Sequence, residues 1–184
     1  AVRAVYMYCG MADVAALTGD QSYIHAIDTI WENMVSKKQY LTGGIGARHE
    51  GEAFGENYEL PNDTAYNETC AAIAAAMWNH RLFLLHGDAK YIDVLERVLY
   101  NGFLSGVSLE GNRFFYPNPL ACWGGYQRSE WFDCSCCPVN VARFIPSITN
   151  YLYAQSERGI YVNLFAQGTA DIDWNGHPIK ITQE

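Results

Sequence analysis

The 184 residues carry a net charge of −8, and 49% of them are apolar and 14% aromatic, a composition that fills a core and excludes a disordered chain. Lys37-Lys38 is the longest basic run, so the stripe of positive charge that nucleic-acid phosphates require is missing. No apolar run reaches the length of a bilayer span, and the length suits one ordinary domain.

The chain opens in an apolar stretch with helical character, Ala1-Val2-Arg3-Ala4-Val5-Tyr6, and closes on a strand-like run, Ile179 to Thr182. Both ends therefore read as interior to a longer protein. A helix is expected over roughly 1–17. It stops at Gly19, which tolerates the left-handed conformation of a helix end, and Asp20 caps the next helix. That second helix carries apolar residues at helical spacing: Ile24, Ile27, Ile30, Trp31 and Met34.

The same unit returns further on. Leu17-Thr18-Gly19-Asp20-Gln21-Ser22-Tyr23-Ile24 is echoed by Leu85-His86-Gly87-Asp88-Ala89-Lys90-Tyr91-Ile92. A helix over roughly 69–85 precedes the second turn, and Ile92, Leu95, Val98 and Leu99 mark the helix after it. The repeating element is a helix hairpin, and stacked hairpins build bundles, solenoids or closed α/α barrels. The fold class is mainly α.

Between the hairpins runs a long non-helical stretch, Gly43 to Glu68. Loops of that length usually carry function. Beyond residue 104, Val107 to Tyr116 predicts a short hairpin around Glu110-Gly111-Asn112, and a loop rich in Gly and aromatic residues follows. Pro138 is expected to open a helix reaching about Tyr153. The tail alternates as strands at Ile160–Phe165, Asp171–Trp174 and Pro178–Ile181. An Asn175-Gly176 turn joins the last two.

Six cysteines are present, three of them within Cys134-Ser135-Cys136-Cys137. A chain with a large core has little need of disulfides, so metal binding or catalysis is the expected use. Cys136 and Cys137 precede Pro138 at a helix start, where the dipole favours thiolate. Two adjacent thiolates call for a cation, and zinc suits clustered sulfur. Asn67-Glu68-Thr69-Cys70 stands at another helix entry and supplies two more donors, giving a mixed set of Glu68, Cys70, Cys136 and Cys137. The plainer alternative keeps Cys70 as a small buried residue among alanines and Glu68 as a helix N-terminal acid. Glu52, in Gly51-Glu52-Ala53-Phe54 beside His49 and Glu50, is expected in a partly apolar cleft that suits a general acid. Its alternative is a solvated loop glutamate.

Taken together, Thr42-Gly43-Gly44-Ile45-Gly46, Gly51-Glu52-Ala53-Phe54, Leu60-Pro61-Asn62-Asp63-Thr64, Glu68-Thr69-Cys70 and Trp131 through Pro138 closely resemble glycoside hydrolase family 127. Val94-Leu95-Glu96, Tyr100-Asn101-Gly102 and Asn140-Val141-Ala142-Arg143 match as well, so the resemblance covers nearly the whole chain. It implies part of an (α/α)6 barrel over residues 1–154 and the first strands of a β-sandwich domain over 155–184. It implies zinc on Glu68, Cys70, Cys136 and Cys137, with Cys136 also the nucleophile and Glu52 the acid/base. His49, Glu96 and Tyr116 match positions expected to contact sugar. The implied activity is retaining release of β-L-arabinofuranose from plant glycans. Another furanoside or pectic sugar, a structural zinc module and a sugar-binding protein without catalysis are the alternatives.

The resemblance implies further histidines upstream, one of them just before Ala1. The loop Cys122-Trp123-Gly124-Gly125-Tyr126-Gln127 is shorter and less rich in His than the resemblance leads one to expect, which leaves the substrate preference open. The expected partner is a small carbohydrate, with neither nucleic acid nor membrane. A homodimer of the full-length protein is a further expectation, and reduced cysteines suit the cytoplasm.

Overall fold

A computed structural model describes all residues, 1–184, and the chain divides into two compact units, 1–142 and 143–184. The first unit is built on four helices: α1 (Val2–Thr18), α2 (Gln21–Lys37), α3 (Thr69–His86) and α4 (Ala89–Arg97). The repeat seen in the sequence is a repeat of structure. Gly19 and Gly87 end their helices at φ 67° and 69°, and the next helix is capped in each case by an aspartate. Asp20 accepts from the Ser22 amide and Asp88 from the Lys90 amide.

Helix α3 is the centre of the unit, packing against both α1 and α4. Its alanine-rich first half is buried on all sides from Thr69 to Ala76, and Trp78 and Leu82 are fully enclosed. A helix apolar all round has no solvent face, and that burial holds it in place. A polar residue, Asn79, enters this core with hydrogen-bond partners. Asn79 accepts from the Trp31 indole at 2.8 Å and donates to the Ala75 carbonyl, fixing α2 on α3. Exposed pairs such as Arg81–Asp13 and His86–Asp28 lie at the rim.

After α4 the helix widens into a π-turn, Val98–Phe103, followed by a 3-10 turn, Leu104–Gly106. The glycine-rich stretch after α2 lies against it. Gly43 has φ 85°, and a Cβ there would stand 2.9 Å from Val98 Cα, so only glycine lets the two backbones meet. This contact anchors the long loop. The expected hairpin at 107–116 is reduced to a bridge between Val107 and Phe114, and Phe114 also pairs with Ser129.

Helix α5 runs from Cys136 to Phe144, two residues earlier than Pro138 predicts. Proline within the first turn loses no intrahelical bond, so it does not have to be the first residue. The helix also ends sooner than expected. Pro146 limits the α-helix at the residues before it, and Ile145–Tyr151 continues as a 3-10 segment.

In the second unit two antiparallel pairs follow. β1 (Tyr153–Ser156) pairs with β2 (Gly159–Val162), and β3 (Gly168–Trp174) with β4 (His177–Gln183). β1 occupies the end of the stretch expected to be helical. The Asn175-Gly176 turn takes φ 53° and 79°, both left-handed, as its sequence predicts.

Candidate active site

Four donors from two separate stretches converge. Glu68 precedes the first residue of α3 with extended backbone (ψ 135°), and Cys70 is the second residue of that helix. This change of backbone between positions 68 and 70 lets residues two apart address one point. Cys136 and Cys137 open α5. The sulfurs of Cys70 and Cys137 are 3.5 Å apart, and those of Cys136 and Cys137 are 3.8 Å apart. Glu68 Oε1 lies 3.4 Å from Cys136 Sγ and 3.9 Å from Cys137 Sγ. All four ligand atoms fall within 4.8 Å of one another.

These separations fit a shared cation. A tetrahedral ion holding sulfur at about 2.3 Å and oxygen at about 2.0 Å sets S···S edges of about 3.8 Å and S···O edges of about 3.5 Å. Glu68 is 3% exposed, and its Oε2 is buried without a hydrogen-bond partner. A buried carboxylate oxygen left unpaired is costly unless a cation faces it. The thiols make the same point. Burial pushes Cys136 up to about 12, although its hydrogen bond with Tyr116 acts in the opposite direction. A hydrogen bond to Cys70, and then burial, raises Cys137, while Cys70 is held low by that same bond. The sequence leads one to expect lowered thiols at the start of α5. Burial for Cys136, and the bond to Cys70 followed by burial for Cys137, act against that expectation. Such a cluster ionises together only against positive charge. It could hold a metal ion.

A ring of aromatic groups borders the cluster. The Tyr116 hydroxyl stands 3.0 Å from Cys136 Sγ and 3.9 Å from Cys134 Sγ. Its position is set by main-chain bonds: the Thr69 amide donates to the Tyr116 carbonyl, and the Thr69 hydroxyl donates to the Phe115 carbonyl. Tyr66, 5% exposed, lies 6.2 Å from Tyr116 between ring centres and meets His49 edge-on at 4.7 Å. Its hydroxyl donates to Glu52 Oε1 at 3.2 Å. Burial first, and the carboxylates Glu68 and Glu52 next, push the Tyr66 phenol upward, so it stays a donor. Tyr116 is raised likewise, by burial first and then by its bond to Cys136.

Glu52 sits in a tight turn closed by paired bonds between Arg48 and Ala53. Gly51 and Glu52 both take left-handed φ, 67° and 51°, and the glutamate is half-buried. The structure thus brings His49, Glu52, Glu68, Cys70, Tyr116, Cys136 and Cys137 into one connected array. Glu96 is not brought into hydrogen-bonding contact with them; it lies half-buried on α4. No motif in the sequence marks Tyr66, the link between Glu52 and Tyr116. Its one signal was an aromatic residue two places before a candidate ligand.

The profile of the β-L-arabinofuranosidase catalytic domain of glycoside hydrolase family 127 matches residues 1–150. The chain belongs to glycoside hydrolase family 127. A solved GH127 β-arabinofuranosidase is 64% identical, superposes with a TM-score of 0.98, and is matched over 100% of this chain and 29% of its own. A GH127 β-L-arabinofuranosidase from Geobacillus stearothermophilus T6 is 45% identical with a TM-score of 0.96, covering 100% of this chain and 31% of that one. The non-reducing end β-L-arabinofuranosidase of Bifidobacterium longum subsp. longum is 37% identical, over 96% of this chain and 31% of its own length. The chain therefore spans about a third of the length of the GH127 relatives it matches. No helix is long and apolar enough to cross a membrane.

The GH127 chain also holds a cavity of about 340 Å³ lined by Asn67, Phe115, Asn118, Tyr126 and Arg128, among others. Glu68 and Tyr116 serve the cluster, whereas their neighbours Asn67 and Phe115 line this cavity. The segments that build the site therefore also wall a second space. The loop after Leu120 contributes Cys122 and Tyr126 to it.

Proposed function

We propose that the complete protein is a retaining glycoside hydrolase that releases β-L-arabinofuranose from plant glycans, with Cys136 as nucleophile and Glu52 as acid/base. The observation that carries this reading is the array itself. Cys136 Sγ lies 3.4 Å from Glu68 Oε1 and 3.0 Å from the Tyr116 hydroxyl, and Tyr66 ties the same aromatic group to Glu52. A purely structural metal module has no use for a carboxylate held at the end of that chain of contacts. Family membership favours the same reading.

Zinc is the proposed ion, held by Glu68, Cys70, Cys136 and Cys137. When bound, it supplies the positive charge that keeps the thiols ionised at neutral pH. Glu52 gives its proton to the glycosidic oxygen as the bond from that oxygen to the anomeric carbon breaks. The Cys136 sulfur forms the new bond to the same carbon. The freed Glu52 carboxylate then takes a proton from water, and the water oxygen displaces sulfur from the anomeric carbon. The electron pair returns to Cys136. Two displacements at one carbon retain its configuration. His49 and Tyr116 are proposed to contact the sugar from the edge of the array, and Glu96 from α4.

The helix hairpins of the first unit are proposed to form part of an (α/α)6 barrel, ending near residue 154 at the change from the 3-10 segment to strand. Residues 155–184 then begin a β-sandwich domain. A small carbohydrate is the proposed partner, with no nucleic acid, and the full-length protein is proposed to form a homodimer. The six free cysteines suit a cytoplasmic setting.

The test measures bound zinc and release of 4-nitrophenol from 4-nitrophenyl β-L-arabinofuranoside by the complete protein, alongside Cys136→Ser and Glu52→Gln. One zinc in this site and activity abolished by either substitution are expected. Zinc without cleavage of any furanoside overturns the substrate, and absence of zinc overturns the metal.

A further inference from the structure

We infer that Tyr66 is a positioning residue for the acid/base, holding one oxygen of Glu52 so that the other carries the proton in the reaction. This rests on the reading of Glu52 given above and adds a residue that the motifs do not name.

The geometry leads there from three directions. First, Glu52 stands on a short turn whose backbone is fixed by the Arg48–Ala53 pairing and by the Glu52 amide donating to the His49 carbonyl. A fixed backbone does not fix a carboxyl group, because the glutamate side chain turns about three bonds. The hydrogen bond from Tyr66 to Oε1 restrains it. Second, Tyr66 is itself held rigidly. Its carbonyl accepts from the Asn118 amide at 2.9 Å, and the next residue's amide donates to the Gly46 carbonyl at 2.9 Å. The ring is wedged between His49 and Tyr116. Third, Tyr66 is two residues from Glu68, on the segment that delivers the donor set. One stretch of backbone therefore sets both the sulfur–carboxylate cluster and the orientation of the acid/base.

The consequence for the proton is specific. With Oε1 accepting from the phenol, the proton passed to the leaving oxygen resides on Oε2, and the same oxygen later takes the proton from water. Tyr66 exchanges no proton and touches no sugar in this scheme. Its loss should therefore be felt in proportion to how much the leaving group needs protonation.

The experiment compares wild type with Tyr66→Phe in the complete protein on two substrates. In methyl β-L-arabinofuranoside the leaving oxygen needs a proton; in the 2,4-dinitrophenyl glycoside it does not. The expected result is a fall in kcat/KM of about 10- to 100-fold on the methyl glycoside. The dinitrophenyl glycoside should show less than about a threefold change in the glycosylation step, with zinc content and circular dichroism as in wild type. Equal losses on both substrates, or no loss on either, overturn the inference, because a residue that merely supports the fold or the sugar does not distinguish leaving groups. A crystal structure of Tyr66→Phe supplies a readout free of activity. A turned or divided Glu52 carboxyl supports the inference, and an unmoved one overturns it. If wild type cleaves no furanoside, the proposed substrate falls, and the crystal structure still decides the role of Tyr66.

Discussion

Three thiols and a carboxylate within 4.8 Å of one another would repel if each were ionised and unpaired. Each of the four is consequently more than a donor; it is a condition for the charge state of the others. Cys137 shows this best, because it is wholly buried and touches both Cys70 and Glu68. Replacing it with serine removes the soft ligand and leaves a buried hydroxyl among acids. Metal affinity in Cys137→Ser is expected to fall by more than the roughly 10- to 100-fold that loss of an outer hydrogen-bond partner costs. Metal content after dialysis checks this, and full retention of zinc would remove Cys137 from the ligand set. Cys122→Ser supplies the control, since Cys122 is exposed and belongs to the other cavity; its metal content should be unchanged.

Among the elements, α3 organises the rest, and its polar contacts carry the clearest expectations. Trp31→Phe leaves Asn79 Oδ1 buried without its donor and should cost about 1–3 kcal/mol, read as a lower denaturant midpoint. Adding Asn79→Leu removes both partners and should recover part of that loss; no recovery would mean the indole acts through packing alone. His80, also on α3, is pushed down to about 4, by burial first and then by Arg81. An unfolded histidine titrates near 6.5. Between those values the unfolded chain binds the extra proton, so the stabilising contribution is whole above about 6.5. It declines as pH falls and is exhausted near 4, a loss of at most about 3 kcal/mol. Thermal unfolding from pH 7 to 4 should fall less steeply for His80→Gln than for wild type. These helices were legible in the sequence because Gly stops, Asp caps and apolar spacing act locally, and both hairpins use the same signals. The donor set was legible because its residues stand at helix entries. The early start of α5 and strand β1 were not, since a proline fixes where a helix is tolerated and not where it begins. Tyr66 was hidden for a different reason: its role lies in a contact across 14 residues of irregular chain, which no periodicity records.

At the scale of the whole molecule, the cluster joins the start of α3 to the start of α5, with Cys70 and Cys137 67 residues apart in the chain. A link of that span removes freedom from the unfolded chain. The loop-entropy relation for a cross-link gives about 4 kcal/mol at that length. A metal at this point would therefore act as a clasp for the first unit as well as a charge for catalysis, because its binding free energy is spent only on the folded chain. Removing zinc with a chelator should lower the melting temperature of the complete protein by several degrees, and adding zinc should restore it. Magnesium should not, since it prefers oxygen ligands to sulfur. A longer protein can hold zinc elsewhere, so the decisive comparison is Cys70→Ser, which should melt low from the outset and show little further response to chelator. Cys136→Ser likewise leaves three of the four donors, so it should melt low as Cys70→Ser does, and with the proposed nucleophile gone it should also lose activity outright. If chelation left the melting temperature of the wild type unchanged, the clasp would be wrong. The cluster would then matter to the chemistry alone, and the burial of α3 would account for the stability of the first unit without it.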